Sequence, residues 1–150
     1  MVIIYLVLLG VIGLMAYVRL APNDPAVWHQ NPETAVSTGK PNEYRLIGGQ
    51  APIFNMAAPD LATLVDNLIA AQARVTRLAG SPETLMMTYV QRSMSMGYPD
   101  YITFKIVPVG DEKSKLEILS RARFGRSDLG VNKRRVEQWV GLITGLVAGR

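Results

Sequence analysis

Cysteine is absent from this 150-residue chain and histidine occurs once, as His29. The first absence removes disulfide frameworks, thiol nucleophiles and cysteine-type zinc sites together. The second removes multi-histidine metal centres and leaves a Ser-His-Asp arrangement with little to build on. No P-loop, GxGxxG, HExxH, EF-hand loop or GxSxG element occurs, and Gly10-Val11-Ile12-Gly13 lies inside an apolar run. No metal and no cofactor is therefore expected, and the chain reads as non-enzymatic. Charged residues make up 19%, with ordered hydrophobic patterning, which excludes a disordered chain. Hydrophobic residues make up 49%, and they are concentrated at one end.

Residues 2–18, VIIYLVLLGVIGLMAYV, contain no polar side chain except Tyr5 and Tyr17. At a rise of ~1.5 Å per residue, this run with Leu20 and Ala21 approaches the ~30 Å hydrocarbon core of a bilayer. It is apolar on all sides rather than striped, unlike a core helix. Arg19 can snorkel to headgroups and Tyr17 suits the interfacial belt. Residues 1–20 thus read as a transmembrane anchor. The rival is a cleaved signal peptide, which wants a basic n-region and a small-x-small cleavage site, whereas here Leu20-Ala21-Pro22 follows the run. Arg19 alone argues for a cytoplasmic C-terminal side, and the usual behaviour of an uncleaved signal anchor argues for export. Export is the expectation adopted.

Residues 21–52 carry many turn formers, among them Pro22, Pro25, Pro32, Gly39, Pro41, Gly48 and Pro52. They read as an extended arm over the domain surface, pinned by Trp28, with a short strand around Tyr44–Ile47. Residues 53–150 read as one domain. Leu61, Leu64, Val65, Leu68 and Ile69 form a single apolar stripe and predict a helix over 59–72. Strands are expected at 74–78, 84–92, 101–109 and 115–124, the last two joined by a hairpin at Gly110–Lys113. In the final strand Leu116, Ile118, Ala122 and Phe124 share one face; Lys115, Glu117, Arg121 and Arg123 share the other. A last helix over 133–147, with Asn132 as N-cap, buries Val136, Trp139, Val140, Ile143 and Val147. The expected fold is α+β: a transmembrane helix, then a two-layer domain of antiparallel sheet covered by two helices.

The formal net charge is +4, yet residues 121–135 alone carry +5, so the remainder is slightly acidic. Arg121, Arg123, Arg126, Lys133, Arg134 and Arg135 supply the cations against Asp128. Three of them fall in a first helical turn, where the dipole prefers anions by about 0.3–1 kcal/mol each. Such a local conflict marks a candidate anion or partner site, with the helix N–H groups and arginines as receptor. The competing reading is structural: Asp128 and Glu137 pair with some of these cations and water solvates the rest. Nucleic acid is not an expected partner, because Phe124 and Trp139 are in phase with the core. Met86, Met87, Met94 and Met96 read as packing residues, Asp111-Glu112 as a solvated turn, and His29 as a satisfied surface histidine.

The residues Tyr17-Val18-Arg19-Leu20-Ala21-Pro22, running into Asp24-Pro25-Ala26-Val27-Trp28-His29, carry a family resemblance. So do Tyr89-Val90-Gln91-Arg92-Ser93, Gly97-Tyr98-Pro99-Asp100-Tyr101 and the run Ser120–Val136. Together, over about residues 17–143, the chain resembles the bacterial and plastid family catalogued as domain of unknown function 1499. The resemblance implies a small membrane-associated domain, common in proteobacteria, with the Arg/Ser-Asp-Leu-Gly-Val-Asn segment as its distinctive surface. It brings no catalytic residues. With the export expectation it implies a single-pass protein of a bacterial inner membrane with a periplasmic domain. The expected partners are the lipid bilayer and an anionic lipid or a membrane-protein partner, engaged through the basic segment. The alternative is a structural accessory subunit that docks through its transmembrane helix. An enzyme using Asp128 among the arginines is the least favoured reading.

Overall fold

The computed structural model describes residues 1–149. Helix α1 (Val2–Leu20) has a mean hydropathy of 2.3 in its most apolar window, so it is long and apolar enough to cross a membrane, a property shared with signal sequences. It ends at Ala21, whose extended backbone leads into Pro22. One further helical turn, α2 (Pro25–Trp28), starts with Pro25 at its first position, and the Asp24 carboxylate accepts the Ala26 N–H at 2.9 Å.

Six strands follow: β1 (Glu43–Leu46), β2 (Ile53–Phe54), β3 (Val75–Ser81), β4 (Met86–Arg92), β5 (Pro99–Gly110) and β6 (Lys113–Ala122). All pair antiparallel, in the order β1-β6-β5-β4-β3, with β2 continuing the β1 edge beside β6. Helices α3 (Ala58–Ala70) and α4 (Val131–Ala148) cover one face. Leu61, Val65 and Ile69 of α3 and Val136, Trp139 and Ile143 of α4 close over Ile102, Phe104, Leu116 and Ile118, all fully or almost fully buried. Each such side chain contributes about 1.5–3 kcal/mol when removed from water. The α+β class and the two covering helices expected from periodicity are present.

Several boundaries differ from expectation for local reasons. Strand β3 runs on through Gly80 and Ser81, and the break falls at Pro82, whose ring removes the ladder donor and starts a 3₁₀ turn, Pro82–Thr84. Helix α4 begins at Val131 with Gly130 as its N-cap, at φ +78°. Asn132 is therefore not the cap, because its side chain is buried and bonded elsewhere.

The second sheet face is covered by the arm. Trp28 stacks on Tyr101 with ring centroids 3.9 Å apart, and the Arg121 guanidinium lies 5.0 Å above the indole. His29 Nδ1 is 2.8 Å from the Thr88 hydroxyl, which is 2.7 Å from that of Thr103. Lys105 donates to Asn31 Oδ1, and Arg45 donates to the carbonyls of Pro32 and Ala35. Under this cover Glu117 is wholly buried, 2.9 Å from Lys115 Nζ and 4.0 Å from Lys105 Nζ.

Candidate functional site

The strands converge at one end on α1. There β4 ends, β5 begins, β6 ends and α4 begins, and the 93–98 and 123–130 connections meet the last turns of the apolar helix. Val18 is buried, Tyr17 packs edge-on to Phe124 at 6.0 Å, and Phe124 also meets Tyr98 at 5.8 Å. Arg19 Nε donates to the Met96 carbonyl at 3.5 Å, and the Arg92 guanidinium donates to the Arg19 carbonyl at 3.5 Å. Gly97, at φ +78°, leaves the room that Arg19 occupies: a Cβ there would lie 3.0 Å from Arg19 Nε.

These contacts border an open cavity of about 790 Å³ between the sheet end, the first half of α4 and α1. One wall is apolar, with Leu14, Tyr17 and Val18 of α1 facing Phe124, Val131 and Trp139. The rest is polar, with Arg74, Arg92, Arg134 and Arg135 against two carboxylates, Asp100 and Asp128.

Both carboxylates are already committed. Asp128 Oδ1 accepts the Gly130 N–H at 2.9 Å, and Oδ2 accepts the Asn132 N–H and side-chain amide, each at 2.7 Å. Partial burial works to raise its pKa, but these hydrogen bonds win and hold it below the ordinary carboxylate value. The anion wanted by the helix N-terminus is thus supplied by the chain itself. Asp100 pairs with Arg135 at 2.7 Å, both side chains largely covered. Burial raises the Asp100 pKa despite the opposing Arg135 cation, and nearby Asp128 adds to the rise.

The basic segment divides accordingly. Arg121 lies on the arm face, where it donates to Gln30 and Val27, and burial lowers its pKa. Arg123 donates to the Pro22 carbonyl at 2.5 Å, holding the chain as it leaves α1. Arg135 is locked by Asp100. Lys133 lies 3.8 Å from Glu137 at the surface. Arg134 folds back on the Leu129 carbonyl at 2.8 Å, and Arg126 is exposed. Arg134 on the cavity wall, like Arg74 and Arg92, has no carboxylate partner among the described residues.

Sequence reasoning missed Arg74, Arg92 and the α1 residues as parts of this site, since nothing local links them. It also missed Asn132 as a junction, although the signal was present. Asn132 is in phase with Val136, Trp139 and Ile143, and Ser120 with Leu116 and Ile118. These two polar interruptions of apolar stripes find each other: the Ser120 hydroxyl donates to Asn132 Oδ1, which also accepts from Arg135. Asn132 Nδ2 reaches the Asn42 carbonyl as well, so one side chain joins arm, strand and helix.

Over residues 23–143 the chain matches the family described as protein of unknown function (DUF1499), and it belongs to that family. No curated protein matches it. Among solved structures it is similar to the di-domain ARO/CYC StfQ from the steffimycin biosynthetic pathway, with a TM-score of 0.52 at 10% identity over 70% of this chain. The likeness extends to 44% of StfQ, so the chain spans under half of that protein. The di-domain ARO/CYC BexL (TM-score 0.45, 12% identity, 71% of this chain and 44% of BexL) is a weaker match. So is a Thermobifida fusca protein solved by solution NMR (0.39, 14%, 67% of this chain and 83% of that one). StfQ supports the fold, an antiparallel sheet with covering helices, and nothing further.

Proposed function

We propose that this chain is a membrane-anchored binding module. α1 stays in the bilayer, and the cavity at its end takes an amphiphile with an anionic headgroup, an acidic phospholipid being the simplest. One observation carries the reading: the same cavity is walled by α1 residues and by arginines lacking carboxylate partners. The apolar wall suits acyl chains, and Arg74, Arg92 and Arg134 suit a phosphate, which guanidinium groups bind through paired N–H donors. An apolar wall facing convergent polar groups is a composition that ligand sites use, which supports this reading. The periplasmic side of a bacterial inner membrane is the placement adopted. The two carboxylates that line the cavity, Asp100 and Asp128, are both engaged, which favours binding over general acid–base catalysis.

The chain's two tryptophans make a test possible. Trp139 borders the cavity and Trp28 lies on the opposite sheet face. Full-length Trp28→Phe protein in vesicles reports through Trp139 alone. Phospholipids brominated on their acyl chains should quench it more strongly with a phosphatidylglycerol headgroup than with phosphatidylcholine. Arg134→Glu should abolish that preference. Equal quenching by both lipids, or none, contradicts the proposal.

A further inference from the structure

The contacts of α1 with the domain fix how deep the domain must sit. α1 has 19 residues and so measures about 28 Å, close to the ~30 Å of a hydrocarbon core. None of that length is spare. Yet Leu14, Tyr17 and Val18 already line the cavity, and Arg19 is held by the 92–97 segment. The part of α1 clear of the domain, Val2–Gly13, covers only about 18 Å. A helix that crosses the bilayer therefore draws the sheet end down until its rim reaches the lipid.

That rim carries two apolar side chains pointing away from the protein. Met94 is 81% exposed in the 93–98 connection and Leu129 is 85% exposed in the 123–130 connection. Met94 borders a cleft shared with Arg19, Arg74 and Arg92. Leu129 has φ +54°, a left-handed conformation that leucine rarely adopts, and its N–H is held by the Ser127 hydroxyl. Its neighbours Arg126, Lys133 and Arg134 are cationic and exposed. Apolar tips ringed by arginine and lysine match the layered chemistry of an anionic membrane surface, acyl chains below and phosphates around.

We infer that the loops bearing Met94 and Leu129 form a membrane-inserting rim around the end of α1, so that the cavity opens into the lipid rather than into water. This inference rests on the reading of α1 as a retained span and adds a depth for the domain. Its occupant is the bilayer that holds α1. A ligand then enters sideways from the leaflet without crossing the aqueous phase.

The absence of cysteine allows single-site labelling of the full chain. Met94→Cys, Leu129→Cys, Leu8→Cys and Val109→Cys variants are labelled with a nitroxide and placed in vesicles of phosphatidylglycerol and phosphatidylcholine. Val109 is an exposed apolar residue beside the β5–β6 turn, at the far end of the strands. Depth measurement should put Leu8→Cys inside the hydrocarbon. Met94→Cys and Leu129→Cys should lie about 5–10 Å below the phosphates, the depth of interfacial apolar groups, and Val109→Cys should be in water. Water-exposed labels at 94 and 129 with a buried label at 8 overturn the inference and leave the anchor standing. A water-exposed label at 8 overturns both. Burial of 109 as deep as 94 also contradicts it, since the whole domain would then adsorb without a preferred rim.

Discussion

Asn132, Asp128, Asp100 and Arg135 hold the end of the domain that faces α1, and their energetics are separable. Asp128 has a lowered pKa, so its stabilisation is complete above the ordinary carboxylate range and is lost as pH falls through and below it. Asp128→Ala should cost about 1–2 kcal/mol at pH 7 in urea unfolding, the scale of a lost helix cap. It should also flatten the acid limb of the stability profile. Asp100 behaves in the opposite sense. Its raised pKa means that the folded state binds a proton more readily than the unfolded chain, so its contribution to stability falls as pH rises above the ordinary range. Arg135→Ala leaves that carboxylate covered without its cation. The loss should be about 3 kcal/mol at pH 7 and should shrink toward acid pH, where Asp100 is protonated. A loss that does not vary with pH would mean that Asp100 gains solvent instead of a proton.

At the scale of elements, the arm is the part whose role is easiest to underrate. It supplies the second cover of a sheet whose arm-facing side chains include the buried Thr88, Thr103, Glu117 and Arg121 and the half-buried Lys105, an unusual amount of covered polarity. Trp28→Ala removes the stack on Tyr101 and the platform under Arg121, and should cost about 2–3 kcal/mol in thermal or urea unfolding, less than for a fully buried tryptophan. Burial lowers the His29 pKa from its ordinary 6.5, so folding disfavours the proton and the arm's hold weakens as pH falls below that value. Amide hydrogen exchange over residues 24–36 should accelerate at pH 5.5 relative to pH 7.5, beyond the intrinsic change in rate. His29→Asn should remove the difference.

The elements show what was legible and why. The helices and the β5–β6 hairpin were readable because apolar side chains recur at periods of 3.6 and 2 along Leu61–Ile69, Val136–Ile143, Ile102–Ile106 and Leu116–Ile118. The alternation in β6 also assigned Glu117 and Arg121 to the face away from the helices. The turn-rich composition pointed to an arm over the surface pinned by Trp28, but not to the face it buries, because an irregular segment has no period and its partners, Tyr101 for Trp28 or the Ala35 carbonyl for Arg45, depend on tertiary geometry. The cationic cluster was legible as composition but not as structure. Arg121 and Arg123 alternate onto the arm side, Arg135 turns to a carboxylate 35 residues away in sequence, and the helix-end anion is Asp128. Only the cavity geometry separates Arg134 from its paired neighbours and joins it to Arg74 and Arg92.

At the scale of the whole molecule, α1, the sheet end and α4 border one open cavity, and the proposed function turns on what fills it. On the proposed reading a lipid seated there would link α1 and the domain through a shared ligand, and its removal should lower stability by mass action. The most direct measurement is native mass spectrometry of the full-length protein released from membranes in mild detergent. Expected is one tightly held anionic phospholipid per chain, lost in Arg134→Glu/Arg92→Glu protein that remains folded by circular dichroism. A chain that emerges lipid-free, or that carries zwitterionic and anionic lipids in their bulk proportions, would contradict the assignment of the cavity.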